Sequence, residues 1–203
     1  IATGIIFIIW DYFFTSKGVW GFNHSYTREL YIARLPLEEW LFFLVIPYCV
    51  FFVHEVLRLF VRRFYFPGTS KIVIIVLLMA GLISLPFIYT RTYTFVAVAF
   101  AIPFLALQLL LKTWKTWFSG FMLTYLFALI PFIIVNGLLT SIPVVWYNNM
   151  ENLGIRVTTI PVEDFIYLLG MLLPAFTLYQ FLLHRFGSKE LTMKMGLESV
   201  SGF

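Results

Sequence analysis

Apolar residues along this chain occur in long blocks rather than in alternation with polar ones. Most blocks have about the 20 residues that a helix needs to cross a bilayer core. Strands of a membrane barrel would alternate apolar and polar residues, and these blocks do not. The pattern therefore predicts an all-α, polytopic transmembrane helix bundle. Its six helices are expected at about residues 1–14, 37–60, 71–89, 93–111, 119–139 and 162–184.

Polar segments separate the blocks and follow the last one. Two long loops, 15–36 and 140–160, are rich in Trp, Tyr and Asn, and the tail over 186–203 is polar. The chain opens at Ile1 inside an apolar run, whereas a complete chain normally starts with Met. We therefore expect a preceding segment that would bring the full-length protein to seven helices.

An internal repeat appears when the chain is shifted by 125 residues. Asp11 then falls on Asn136, and the segment Pro36–Glu39 falls on Pro161–Asp164. Four crossings separate the two Pro-x-acid-acid segments, so both lie on the same membrane face and the repeats are parallel. This predicts a single membrane domain over 1–203, with repeat A at about 1–60, linking helices at about 71–111 and repeat B at about 119–185.

Composition and charge agree with a membrane protein. Hydrophobic residues make up 61% of the chain, charged residues only 12%, and the mean hydropathy is +0.92. The net charge of +4 does not indicate a nucleic-acid partner, because the basic residues lie in loops between apolar blocks. Of the 14 Lys and Arg residues, nine lie on one face and five on the face of the acidic motifs. The positive-inside rule then predicts a multi-pass protein of a bacterial inner membrane, with the motif face outward.

Carboxylates within apolar blocks are the main candidates for chemistry. An ionised carboxylate in lipid costs several kcal/mol, so such residues usually face a cavity or a partner. Proline followed by an acid is also an ordinary helix start. Two copies at one offset favour a shared function, because capping needs only one acid. Six acids lie within or beside apolar blocks: Asp11, Glu38, Glu39, Glu55, Glu163 and Asp164.

Acid–base work is the function that paired carboxyls indicate. Two adjacent carboxyls cannot both ionise cheaply, so one can donate a proton and the other can accept one. The 24 Phe, 11 Tyr and 6 Trp residues could supply ring faces that stabilise a carbocation. No phosphate-binding loop, dinucleotide fingerprint or nucleophile elbow is present, and the His residues lack metal-ligand spacing. The sequence therefore predicts neither a cofactor nor a metal.

Several motifs resemble those of a known family, the integral-membrane, flavin-independent lycopene cyclases. The doubled Pro-x-Glu-Glu/Asp motif resembles the fused, two-repeat form in particular. The likeness extends over nearly the whole chain. The segments that carry it are Trp20–Asn23, Pro36–Glu39, Trp146–Asn149, Asn152–Ile155 and Pro161–Asp164.

The resemblance implies a carotenoid-biosynthesis enzyme of the isomerase type. It would protonate the open ends of lycopene, close six-membered, β-type rings and remove a proton, with no net redox change. We expect Glu38 and Glu163 to be the acid–base carboxyls, assisted by Glu39 and Asp164. The residues expected to bind substrate or support these acids are Asp11, Asn23, Asn136, Asn148, Trp20 and Trp146.

Other functions remain open at the level of sequence. A proton-coupled membrane transporter would also carry buried carboxylates and parallel repeats. A carotenoid hydratase could begin with the same protonation and differ only in water access. A retinal photoreceptor is excluded, because block 162–184 contains no lysine for a Schiff base. A homo-oligomer is compatible with every one of these functions.

Overall fold

The computed structural model describes residues 2–28, 30–61 and 65–187. Over these residues the chain forms a helix bundle, which confirms the predicted all-α class. Each helix lies close to its predicted apolar block. The third begins four residues earlier than predicted, because Pro67 is well suited to a first helical turn. The helices are α1 Ala2–Ser16, α2 Leu37–Phe60, α3 Pro67–Ile88, α4 Thr92–Leu110, α5 Phe118–Ser141 and α6 Val162–Leu182.

Five of the described helices, α2 to α6, are long and apolar enough to cross a membrane. Helix α1 has 15 residues and is shorter than a full crossing. Large apolar side chains such as Phe60 and Phe87 are 82% and 80% exposed on the outside of the bundle. Such exposure is expected where the surrounding solvent is lipid.

The two long loops contain short strands that the apolar pattern does not predict. Their strands are β1 Trp20–Phe22, β2 Tyr31–Ile32 and β3 Leu35–Pro36 in the first loop, and β4 Val145–Tyr147, β5 Arg156–Val157 and β6 Ile160–Pro161 in the second. Within each loop a two-stranded hairpin leads directly into the next helix. Strands β1 and β4 pair with each other in antiparallel orientation and join the two loops.

Element boundaries recur at the 125-residue offset. Helices α1 and α5 end at Ser16 and Ser141, and helices α2 and α6 begin at Leu37 and Val162. All three strands of the first loop have counterparts at the same offset in the second. The two halves of the described chain therefore share one order and spacing of elements.

The β1–β4 ribbon maps onto itself under this offset. Gly21 lies opposite Trp146 at its centre. At one end Asn23 donates its backbone N–H to a carbonyl of the second loop, and at the other Asn148 does the same to the first loop, both at 2.9 Å. A local two-fold axis therefore passes between Gly21 and Trp146.

Aromatic packing fills the space below the ribbon, between α1, α4 and α6. Phe7 is fully buried, and its ring lies 5.3 Å from that of Trp10 and 5.4 Å from that of Phe100. Gly170 allows this close approach, because a Cβ there would lie 3.3 Å from the Phe100 ring. This packed core lies directly beneath the polar site.

Parts of the predicted organisation lie outside the described residues. The polar tail predicted over 186–203 does so from residue 188 onward, and Arg62 and Arg63 also lie outside the described ranges.

Candidate active site

A small cavity lies beneath the β1–β4 ribbon, where α1, α2, α5 and α6 reach the loop face. Its volume is about 80 Å³. Three carboxyl groups line it, those of Asp11 on α1, Glu39 on α2 and Asp164 on α6. Asp11 and Asp164 are 1% and 4% exposed. The bundle thus gathers three acids from three helices into one hollow.

Asp11 and Glu39 form a carboxyl–carboxyl pair. The indole Nε1 of Trp20 donates to Asp11 Oδ1 at 2.5 Å, and Thr15 Oγ1 donates to the same oxygen at 3.5 Å. The Glu39 carboxyl lies close enough to that of Asp11 for the two groups to interact electrostatically. Two carboxyls this close in a buried site cannot both ionise cheaply, so one of them can keep its proton. The pair can therefore hold a proton for the site.

Asp164 has different partners. Tyr93 donates its hydroxyl to Oδ1 at 2.6 Å, and Tyr147 donates its hydroxyl to Oδ2 at 2.8 Å. Burial raises the pKa of the Tyr147 phenol well above its ordinary value, and the nearby Asp164 carboxyl raises it further. The phenol consequently remains a hydrogen-bond donor. Both oxygens of Asp164 thus accept hydrogen bonds from donors fixed on other elements.

Aromatic rings form much of the cavity wall. The rings of Tyr93 and Tyr147 are stacked 6.1 Å apart at 10°, and the Trp20 ring meets Tyr93 edge-on at 4.9 Å. The Tyr167 ring also lines the cavity, and its buried hydroxyl has no hydrogen-bond partner among the described residues. Ring faces attract cations most strongly where water is excluded. The wall can therefore stabilise positive charge beside the acids.

The first acid of each Pro-x-acid-acid segment lies away from this cavity. Glu38 is exposed, and its Oε1 accepts the backbone N–H of Arg28 at 3.2 Å. Glu163 is fully buried, and its Oε1 accepts the backbone N–H of Leu153 at 2.8 Å and the hydroxyl of Thr94 at 2.6 Å. Arg28 and Leu153 are themselves 125 residues apart. The same loop-anchoring contact thus occurs in both halves. The acid–base role that the sequence predicts for Glu38 and Glu163 would instead require their carboxyls to face the cavity.

Helix geometry explains the division between the two acids. Successive residues of an α-helix point about 100° apart, so two adjacent acids leave the helix in different directions. At the start of α2, Glu39 points to the cavity while Glu38 reaches back to its loop. At the start of α6, Asp164 and Glu163 divide in the same way.

Two other expected residues, Trp20 and Asn136, also line the cavity. The expected Asn23 and Asn148 instead accept backbone N–H groups two residues ahead of themselves, each at 3.0 Å. They form turns at the two ends of the ribbon. The structure thus gives these two asparagines a part in shaping the loops.

Trp146 lies on the outside of the ribbon. It is 46% exposed and covers the backbone of Gly21, where a Cβ would lie 2.5 Å from the indole ring. Its contact is with the opposite strand and not with the cavity.

Three tyrosines of the site were not predicted. Tyr147 lies inside the Trp146–Asn149 motif, but its counterpart at the 125-residue offset is Phe22, so only its place in the motif could have suggested it. Tyr93 comes from α4, which lies between the repeats and has no counterpart that would single it out. Tyr167 is one turn beyond the second acidic motif, but its counterpart is Phe42, so no polar repeat marks it.

Residues 1–57 and 90–182 match the profile of a family described as lycopene cyclase. The chain belongs to the lycopene cyclase family. The matched ranges contain every residue of the acid cavity and leave out α3. No curated protein and no solved structure matches the chain.

A lycopene cyclase is embedded in the membrane and acts on a lipophilic carotenoid. The apolar helices of this chain and the aromatic lining of its cavity are compatible with that environment. Within the described residues, no group of three His, Cys, Asp or Glu side chains is placed to hold a metal ion.

Proposed function

We propose that this protein closes open ends of lycopene into six-membered, β-type rings by acid–base catalysis in the Asp11–Glu39–Asp164 cavity. One observation carries the proposal. The Asp11 and Glu39 carboxyls and a third carboxyl, which accepts hydrogen bonds from two tyrosines, line the same aromatic cavity.

The first step is protonation of the terminal double bond. The Asp11–Glu39 pair donates its proton to the less substituted carbon, and the positive charge forms on the more substituted carbon. Alkenes are weak bases, so the donor has to be a neutral acid kept from water. The cavity supplies such a setting, because Asp11 is 1% exposed and aromatic rings surround it.

Ring closure is the second step. A neighbouring double bond attacks the cation, a carbon–carbon bond forms, and the charge moves to a ring carbon. The rings of Trp20, Tyr93 and Tyr167 are available to stabilise this charge. The Asp164 carboxylate balances it, since preorganised charge in a dry site costs no reorganisation during reaction.

The final step removes a proton from a carbon next to the cation and leaves a double bond in the ring. Asp164 is the base, and the proton then returns to the Asp11–Glu39 pair for the next cycle. Every bond and proton is accounted for, so the product is an isomer of the substrate. The counterpart of Asp11 is Asn136, whose amide cannot store a proton, so the cavity holds one such acid pair among the described residues.

Adjacent-residue variants test the assignment. We expect Glu39→Gln, Asp164→Asn and Asp11→Asn to lower ring formation by roughly 100-fold or more, as loss of a general acid or base does. Glu38→Gln is the matched control for Glu39→Gln, and we expect it to retain most of the activity. The measurement is pigment analysis of lycopene-producing bacteria, with the amount of each variant in the membrane determined by immunoblot.

The opposite pattern would return the acid–base role to the first acid of each pair. Ring formation lost in Glu38→Gln and Glu163→Gln, with well-expressed Glu39→Gln still active, would contradict the proposal. A hydroxylated product from the wild type would indicate a hydratase instead.

A further inference from the structure

An apolar groove adjoins the acid cavity between α2 and α5. It has a volume of about 210 Å³. Four residues line both spaces, so the groove lies directly beside the acid cavity: Phe42, Phe132, Asn136 and Leu168. Apart from Asn136 at this junction and the thiol of Cys49, the lining side chains are hydrocarbon.

The groove extends along α2 from Phe42 to Val53. At 1.5 Å per residue this distance is about 16 Å along the helix axis. Phe127 and Val135 at its edge are 46% and 45% exposed on the surface that faces lipid. A straight apolar chain could therefore pass from the bilayer into the groove and bring its tip to the carboxyls.

The equivalent position in the other half is closed. The 125-residue offset relates this groove to the contact between α6 and α1, where Phe132 becomes Phe7 and Val135 becomes Trp10. Phe7 and Trp10 are 0% and 9% exposed, and the Phe7 ring lies 4.8 Å from that of Tyr167. The ring of Trp10 thus occupies space in this half that the smaller Val135 leaves open in the other.

We propose that the α2–α5 groove is the one path among the described residues by which the polyene reaches the acids, tip first, so that each binding event cyclises one end. This inference rests on the proposed function. A conjugated polyene is stiff and cannot fold both ends into a cavity of about 80 Å³. The half-cyclised product therefore leaves before the second end enters.

Blocking the groove is the first test. Cys49 and Ala80 are both exposed, small residues of spanning helices, and each lines an apolar groove. The groove at Ala80 shares no residue with the acid cavity. We expect Cys49→Trp to lower ring formation by about tenfold or more, because misplaced substrate loses near-attack geometry. Ala80→Trp should stay within about twofold of the wild type. Equal activity of the two variants would overturn the proposal.

Protection of the single cysteine is the second test and separates binding from chemistry. We expect the Glu39→Gln variant to bind lycopene without converting it, and the bound lycopene to slow alkylation of Cys49 by a lipid-soluble maleimide. As a control, a cysteine introduced as Ile83→Cys in the Cys49→Ser background lies on lipid-facing α3 and should react at an unchanged rate. Protection without cyclisation by the wild type would leave the groove in place and refute the proposed function. Cyclisation without protection would refute the groove alone.

The order in which products appear tests whether each binding event cyclises only one end of the polyene. We expect free monocyclic carotenoid to exceed the amount of protein before any bicyclic carotenoid appears. Bicyclic product from the earliest turnovers, with no free monocyclic species, would contradict release between ends.

Discussion

Glu38 and Glu39 are neighbours in the chain and lie in different surroundings. The first accepts a backbone N–H of its own loop, and the second lines the cavity together with Asp11. Asp11 and Asn136 differ in a similar way, because they occupy equivalent positions but only a carboxyl exchanges a proton. The difference between a carboxyl at position 11 and an amide at position 136 therefore determines which half of the molecule provides the acid.

The Tyr147 hydroxyl gives a prediction about pH. Tyr147→Phe removes one of the two donors to Asp164, and we expect ring formation to fall by about tenfold, as for loss of a hydrogen bond to a charged group. Burial raises the pKa of this phenol, so it stays protonated as the pH passes its ordinary value of about 10. Any loss of activity at high pH should therefore occur at the same pH in the wild type and in Tyr147→Phe.

The measurement is the pH dependence of ring formation in proteoliposomes. Tyr48→Phe is a suitable control, because Tyr48 is 71% exposed on α2. An alkaline loss near pH 10 that disappears in Tyr147→Phe would show that the phenol titrates and would contradict the argument.

The β1–β4 ribbon is the element that brings the two loops together. Through it, Trp20 is held over Asp11 and Tyr147 over Asp164. Each loop is also tied to its following helix by the first acid of the motif. The ribbon therefore covers the cavity, and its geometry determines where the hydrogen-bond donors of Trp20 and Tyr147 lie.

A substitution at the centre of the ribbon should destabilise the fold. Gly21→Ala places a Cβ 2.5 Å from the Trp146 ring, so the ring or the strand has to move. We expect a loss of about 1–3 kcal/mol, as for overpacking elsewhere. Gly137→Ala is the control, because nothing lies within 4 Å of its Cβ and alanine is the better helix former.

Thermal unfolding of both variants in detergent tests this prediction. Gly21→Ala should unfold at a lower temperature than the wild type, and Gly137→Ala at the same or a higher temperature. Equal unfolding temperatures for Gly21→Ala and the wild type would mean that the Trp146 ring moves aside without a loss of stability, which would contradict the prediction.

The whole molecule is polar at its two ends and apolar between them. The long loops and the turn before α4 lie together on one face, where Arg91 donates to the carbonyl oxygens of Asn149 and Met150 at 3.2 and 2.8 Å. The order of the apolar blocks along the sequence predicts that nine of the 14 Lys and Arg residues lie on the opposite face. This asymmetry leads to a prediction of orientation.

We expect the acid face to point out of the cytoplasm. In a Cys49→Ser background, Ser25→Cys and Asn149→Cys should react with a membrane-impermeant maleimide added outside intact bacterial spheroplasts. Arg185→Cys should react only after lysis, because it lies at the opposite end of α6. The reverse pattern would show that the protein is inserted the other way round.

The sequence alone was sufficient to determine the membrane class, the helix positions and the family motifs. In lipid each helix has to satisfy its own backbone hydrogen bonds, so an apolar block of sufficient length determines its own structure locally. For that reason the blocks agree with α2, α4, α5 and α6 to within a few residues. The pairing of β1 with β4 joins segments 125 residues apart, and no local pattern could give it.

Only the tertiary structure decided which acid of each pair enters the cavity. That choice depends on how each helix is rotated, and rotation is fixed by contacts with distant helices. Tyr93 reaches Asp164 because α4 packs on α6, and Phe7 closes one groove because α1 packs there. A chain can specify its helices residue by residue, but the direction of a side chain into a shared space is decided only when the helices meet.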